Sequence, residues 1–484
     1  MEFKPTSTGF TAEPVPASRT RGDIEAEAAD LLPLFELYPE IVYTKSDPAY
    51  DALAVLFNKA LDIRPLAILR PSNQNHVREA VRIVSAAGLR LAIRAGGLDI
   101  SGKNVAGIDG AGVLLDLRSL NSTEIAEDKL SATVGGGILI GDLVPALAAH
   151  DLFTPIGWHP MVGYCGWAMG GGYGLYASSY GLGSDQIVAA QIVLADGSIV
   201  VANDSKHTEL LWALRGAGNG LWGVVTQLTV KVYPQPKALI GALAFPKKDW
   251  PAVMNEWAEN FEPSLPHEYT GDVYIRNPVP ESPELVLFFA WCPKEGERLD
   301  AGYAYLERLK ALPGTPAYKV GEMTPAEWVA MVPSSQSIPI HLRGAITPGL
   351  TKAVAAVLID QYDKTGPLYM GFPSHFLHGK AIEPNPAACF PLRFRHRLFP
   401  LTCSHINIST DAVMDARAKN FAEQVITDLK ATGEVLPGVA YGNLIPVVDA
   451  VAEATFGTEA LARLRKLKAE YDPHNFFGNG YPVL

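Results

Sequence analysis

IRAGGLDISG, Ile93–Gly102, decides the reading of this 484-residue chain. An apolar run ends at Arg94, Gly96 and Gly97 follow, and Asp99 and Ser101 come just after, with Leu98 at the centre. Glycine permits positive φ and leaves no Cβ in the way, so successive amides can turn inward on a phosphate oxygen. Upstream, LAILRPSNQNHVREAVRIVSAAGLRLAI (Leu66–Ile93) predicts strand, helix, strand. Val77, Ala80, Val81, Val84 and Ala87 share one helical face, Ser72 is the expected N-cap, and Gly88 is the expected stop.

Downstream, GVLLDL, SATVGGG, IVAAQIVLADGSIVVA and GVVTQLTVKVYP read as strands, with a hairpin turn at Asp196-Gly197. After Pro234 the glycine clusters fade, and LVLFFAWCP, PIHLRGAIT and HINIST alternate with helical stretches. That pattern predicts an antiparallel sheet backed by helices, with a domain boundary near residue 236. The last segment predicts a helix with Leu461, Leu464 and Tyr471 inward, stopped at Asp472-Pro473.

With 48% hydrophobic and 19% charged residues the composition suits a globular protein with a large core. A net charge of −11 without basic runs disfavours nucleic acid and anionic membranes and leaves a small molecule as the expected partner. Cys165, Cys292, Cys389 and Cys403 show no metal-ligand spacing, so no metal is expected. No apolar leader or membrane-length apolar run is seen, which gives the expectation of an intracellular, cytoplasmic protein. The first stretch, rich in Pro, Ser and Thr, is expected to be an arm packed on the body or mobile.

Two more glycine clusters follow the first: GYCGWAMGGGYG (163–174) and RGAGNGLWGVVT (215–226). None is the GxGxxG dinucleotide fingerprint or a GxxxxGK[ST] P-loop, so another nucleotide architecture is required. In order, PLAILRPSNQNHVREAV, IRAGGLDISG, the run Val162–Val200, the run Leu210–Pro234 and the terminal YDPHNFFGNGYP resemble the berberine-bridge-enzyme-like FAD-linked oxidases of the vanillyl-alcohol-oxidase and p-cresol-methylhydroxylase fold. The resemblance implies an α+β protein: a two-subdomain FAD-binding module (60–236, entered through 1–59), an antiparallel-sheet substrate domain (237–440) and a C-terminal return to the module (441–484). It further implies that Arg94, the backbone of Gly96, Gly97, Leu98 and Asp99, and the Ser101 hydroxyl contact FAD. Val162, Gly163, Gly166, Gly170, Gly171, Gly172 and Gly174 would line the flavin, with Gly223, Val224 and Val225 nearby and Asn479 and Tyr481 closing the site.

Three positions depart from the family pattern. The usual flavin-linked histidine of the first loop is Leu98, which has no nucleophilic atom, so FAD is expected to be non-covalent. The second linkage position, three residues before Val162, holds His159 in place of cysteine; its imidazole could donate a hydrogen bond, act as an acid or form an attachment. Cys165 is read as packing. In YGNLIP, Leu444 and Pro446 replace the family's base tyrosine and aspartate, while Tyr441 and Asn443 remain.

Replacement acid/base groups are expected on substrate-domain strands. His341 and Arg343 share one parity, as do Arg393, Arg395 and Arg397, and His405 and Asn407; His341 and His405 are preferred because imidazole titrates near neutrality. His375 and His378 have a spacing open to a metal, but no third ligand is evident. The expected function is therefore FAD-dependent oxidation or oxidative cyclisation of a small, largely apolar specialised metabolite, with oxygen as acceptor. The alternatives are a redox-neutral, pericyclase-like cyclase or isomerase reusing the pocket, and a ligand carrier.

Overall fold

The helix Gln74–Ala86 buries Val77, Ala80, Val81 and Val84, the stripe its period predicts, with Ile83 added and Ala87 half-buried. Its N-cap is Asn73, one residue later than expected, because the Asn73 side chain is the one that accepts from the His76 amide at 3.0 Å. Gly88 follows the helix at φ +67° and ends it. The computed structural model describes residues 20–276, 284–294, 296–332, 339–364, 369–391, 397–404, 412–444 and 452–484, with 369, 370, 372 and 397–404 described by backbone alone.

That helix packs on a four-stranded sheet of β1 (Val42–Tyr43), β2 (Ala67–Leu69), β3 (Leu91–Arg94) and β4 (Val113–Asp116), ordered β1-β2-β4-β3. β2 and β3 run parallel to β4, as a strand–helix–strand crossover requires. A second, antiparallel sheet contains β5 (Thr123–Ile125), β6 (Ser131–Gly135), β8 (Ile187–Val193), β9 (Ile199–Ala202) and β10 (Val224–Lys231), ordered β5-β6-β10-β8-β9. The short β7 (Leu152–Phe153) pairs with β11 (Tyr233–Pro234). Asp196-Gly197 makes the turn between β8 and β9, with Gly197 at φ +80°.

The third sheet is antiparallel and eight-stranded. Its strands are β12 (Ala238–Phe245), β13 (Tyr269–Thr270), β14 (Asp272–Arg276), β15 (Glu284–Trp291), β16 (Ala317–Met323), β17 (His341–Thr347), β18 (Tyr369–Phe376) and β19 (Arg397–Ser404). Their order is β16-β12-β15-β14-β18-β19-β17, with β13 added on β15. Trp250, Trp257, Phe289, Leu309, Val354, Leu358, Ala422 and Val425 form one core between this sheet and the helices behind it. The α+β class expected from the sequence holds. The other sheet face meets the glycine-rich half of the chain, and the cavity lies between them.

The C-terminal helix Thr458–Tyr471 buries Leu461, Leu464 and Leu467, while Tyr471 is half-buried. Asp472 then turns the chain back: its carboxylate pairs with Lys468 at 2.7 Å and accepts from the Phe477 amide at 2.8 Å. Phe477 joins the core beside the first sheet, which delivers Asn479 to the cavity. No helix among the described residues is long and apolar enough to cross a membrane.

Candidate active site

β3 ends at Arg94, whose guanidinium does not point to the loop it precedes. It turns back to Asp116 at 2.8 Å and to the Leu53 carbonyl at 2.7 Å. Arg118 binds the same carboxylate at 2.8 Å, and Arg70 approaches it at 3.5 Å. Burial alone would raise the Asp116 carboxyl, but the Arg94 and Arg118 guanidiniums outweigh it and hold it well below the usual carboxylate range. Arg94 thus anchors the end of the strand where it borders the cavity.

Beyond Arg94 the loop is tied by its own side chains. Asp99 accepts from the Ser101 amide and hydroxyl at 3.2 and 2.6 Å and from the Asn104 amide at 2.8 Å. The Ser101 hydroxyl is thereby turned to Asp99, and Ser101 does not line the cavity, contrary to expectation. Among the described residues, the amides of Gly96, Gly97, Leu98, Asp99 and Ile100 have no protein acceptor. All five residues line the cavity. A row of N–H groups without protein acceptors along a half-buried cavity wall is what a pyrophosphate needs, so the loop fits the phosphates of FAD.

Gly96 also makes the wall possible by sterics. A Cβ on Gly96 would stand 2.2 Å from the Gly163 nitrogen, and one on Gly163 would stand 2.3 Å from the Gly96 nitrogen. The first two glycine clusters therefore cross backbone to backbone, and each glycine is required by the other. Val162, Gly163 and Gly166 line the cavity from the second cluster. Gly170, Gly171, Gly172 and Gly174 do not; they lie behind the wall against Asn443, Phe390, Gly183 and Ile156. Gly223 and Val225 line the cavity, whereas Val224, of opposite parity on β10, is buried in the first subdomain's core.

His159 lines the cavity, and its Nδ1 accepts from the Met161 amide at 3.2 Å, which assigns the ring N–H to Nε2. Cys165 reaches the wall, but burial pushes its thiol up to about 12 and Sγ donates to the Gly135 carbonyl, so it is a packed, protonated thiol. Lys103, which sequence reasoning did not single out, also lines the cavity and donates from Nζ to the Gly442 carbonyl.

On the opposite side the third sheet supplies side chains. Register pairs Asp272 of β14 with His375 of β18, and Asp272 Oδ2 lies 2.7 Å from His375 Nδ1. The His375 ring lines the cavity between Tyr173, 4.7 Å away by ring centroids, and Tyr274, 6.0 Å away. Neither Asp272 nor Tyr274 was expected from the sequence, and His375 was weighed only as a metal ligand. Among the described residues no group of three His, Cys, Asp or Glu could hold a metal ion.

His341 is corrected in position. Its Nε2 bonds Asp415 at 2.8 Å and Arg343 bonds Glu423 at 2.8 Å, both on the helix Ala412–Ala431. The strand's other face, through Leu342, meets the cavity. His405, Asn407, Arg393, Arg395 and Pro446 lie outside the described residues, as does the side chain of Arg397.

Tyr441 lines the cavity, and its oxygen accepts from the Gly172 amide at 3.1 Å and from Asn443 Nδ2 at 3.2 Å. Burial pushes the phenol up to about 12 despite those donors, so it stays neutral. Asn443 in turn accepts from Asn219 at 2.7 Å, and Leu444 stands on the wall. Asn479 closes the cavity and donates to the Asn104 carbonyl at 3.2 Å. Tyr481 sits behind it, its hydroxyl donating to Thr455 at 2.7 Å. The enclosed volume is about 470 Å³, within the range of small-molecule sites.

Residues 65–203 match the FAD binding domain family, and residues 428–483 match the family described as berberine and berberine like. The FAD-linked oxidoreductase aurO of Gibberella zeae is 30% identical over 459 residues, covering 92% of this chain and 86% of that one. The (R)-6-hydroxynicotine oxidase of Paenarthrobacter nicotinovorans is 38% identical over 201 residues, 42% of this chain and 43% of that one. Among solved structures, 6-hydroxy-D-nicotine oxidase from Arthrobacter nicotinovorans superposes with a TM-score of 0.79 at 26% identity, covering 92% of this chain and 97% of that one. The fold is shared with the glucooligosaccharide oxidase of Acremonium strictum, which carries a 6-S-cysteinyl, 8α-N1-histidyl FAD (TM-score 0.78, 20% identity, 91% and 96% coverage). With a cavity walled by unpaired loop amides and a relative matched over most of both chains, this protein belongs to the berberine-bridge-enzyme-like family of FAD-linked oxidoreductases.

Proposed function

We propose that this enzyme oxidises a small, largely apolar specialised metabolite with FAD held non-covalently and with oxygen as the terminal acceptor. The observation that supports it best is Leu98, which stands on the cavity wall among five amides without protein acceptors. Those amides can hold a pyrophosphate whatever the side chain is, and leucine can form no bond to a flavin. Bound FAD supplies the acceptor for a hydride. The chain itself positions and encloses: Trp158, Tyr173 and Tyr274 give the cavity an aromatic lining on which a flat, weakly polar substrate can stack. The nicotine oxidases among the relatives are named for an aromatic substrate of that size.

The redox-neutral cyclase reading drew its strength from the loss of the family's usual base. The Asp272–His375 pair at the cavity offers a replacement for that base, which supports the oxidase reading. The test is anaerobic addition of a panel of phenols, benzylic alcohols and cyclic amines to the yellow protein. Bleaching of the flavin absorption, reversed by air with formation of hydrogen peroxide, is the expected result. A flavin that dithionite reduces but no panel member reduces, in a protein that converts one of them to an isomer of unchanged mass, contradicts the oxidase reading.

A further inference from the structure

We infer that His375, held by Asp272, is the proton acceptor of the reaction, and that the substrate carries an O–H or N–H on the carbon that is oxidised. This rests on the oxidase reading of the same cavity.

The two residues face each other across an antiparallel ladder, so their contact is set by strand register and not by flexible loops. Both are buried, at 4% and 5% exposure, and the 2.7 Å bond places a carboxylate on Nδ1. That contact fixes the Nδ1–H tautomer and leaves a lone pair on Nε2, which has no protein partner among the described residues. The ring lines the cavity, and the phenols beside it, Tyr173 and Tyr274, are held protonated by burial, so they can donate to a substrate oxygen but not take its proton. Other candidates are engaged elsewhere: His341 faces away onto Asp415, Lys103 donates to the Gly442 carbonyl, and His159 Nδ1 already accepts from the Met161 amide.

In the step this geometry serves, the substrate O–H or N–H proton moves to Nε2, and the bonding pair it leaves becomes the second bond of C=O or C=N. The adjacent C–H would leave with its pair as hydride, for which bound FAD, the oxidant of the family's reaction, would supply the acceptor. The substrate thus loses one proton and one hydride, two electrons in all. The imidazolium is stabilised by Asp272 and returns its proton to solvent.

The test uses 4-nitrophenol and the protein as purified, buffered below the pH at which the free phenol ionises. In wild type the bound phenol is expected to appear as phenolate in difference absorption. In His375→Gln the ionised fraction should fall about tenfold or more at equal occupancy measured by dialysis, as loss of one pKa unit of driving force would give. His375→Asn, which keeps a donor for Asp272, guards against a folding defect and should behave the same way. Nitrogen-15 NMR should show the Nδ1–H tautomer at His375 in wild type and a mixture in Asp272→Asn. With an oxidisable substrate, His375→Gln should lower kcat/KM by about 10²- to 10⁴-fold with FAD content unchanged. Equal ionisation in wild type and both His375 variants, or an Nε2–H tautomer, overturns the base while leaving the oxidase reading intact. A protein that takes up no FAD overturns the oxidase reading while the phenol and NMR readouts still report on the pair.

Discussion

On one side of the cavity Gly96 to Ile100 offer backbone amides, and on the other β14 and β18 offer the side chains of Tyr274 and His375. The backbone wall is built from chain crossings and an anchored strand end, so its chemistry survives changes of side chain but not added bulk. The side-chain wall is built on a regular ladder, which tolerates change in the backbone's neighbours but depends on the identity of Asp272 and His375, 103 positions apart. The difference explains how the handle at position 98 can be an apolar leucine in a chain that keeps the rest of the cradle.

The comparison is most severely tested at Gly96. Valine there has to displace the Gly163 backbone, 2.2 Å from the new Cβ, and we expect Gly96→Val to cost more than about 4 kcal/mol, seen as insoluble or FAD-free protein. A Gly96→Val protein that unfolds in urea like wild type would refute the crossing as the origin of this wall.

Next is Asp116→Asn, which leaves the Arg94 and Arg118 guanidiniums buried without their carboxylate and should cost about 3–5 kcal/mol in urea unfolding. The pH dependence has a definite sign. The folded Asp116 is depressed, so its contribution is fully present above the unfolded value of about 3.9 and fades only as pH falls below it. The stability difference between wild type and Asp116→Asn should therefore be flat from neutral pH down to that point and shrink below it. A difference that grows on acidification would contradict the assigned ion cluster.

Tyr441→Phe removes the acceptor of the Gly172 amide and of Asn443, leaving both donors buried, for an expected loss of about 1–3 kcal/mol. Because the phenol is neutral and its oxygen already accepts from those two donors, the main effect should be on thermal midpoint, not on the pH profile of turnover. The smallest effect is predicted for Leu98→Ala, whose FAD affinity should stay within about 0.5 kcal/mol of wild type, since the amides are untouched. A large loss would show that the leucine side chain, and not the backbone, holds the cofactor.

The helix Gln74–Ala86 was legible because a sustained apolar stripe has one meaning, and its cap was misplaced by one residue because Ser72 and Asn73 are both good caps. The glycine clusters announced close backbone approach correctly, but sequence cannot tell approach to a ligand from approach to another strand. Gly96 meets the Gly163 backbone and also lines the cavity, while Gly170, Gly171, Gly172 and Gly174 pack behind the wall. Alternation along β17 separated His341 from Leu342, yet nothing in that strand says which parity faces the cavity. The Asp272–His375 pair was illegible for a different reason: only the register of β14 on β18 brings the two together.

The central claim, that the cofactor is held without a covalent bond, is tested most directly by removing and restoring it. Acid ammonium sulfate containing bromide should strip the yellow protein to a colourless polypeptide, with FAD recovered in the supernatant, and titration with FAD should restore the visible spectrum at one flavin per chain. Colour that stays with the denatured polypeptide would contradict the account and direct attention to His159, whose replacement by alanine would then release it.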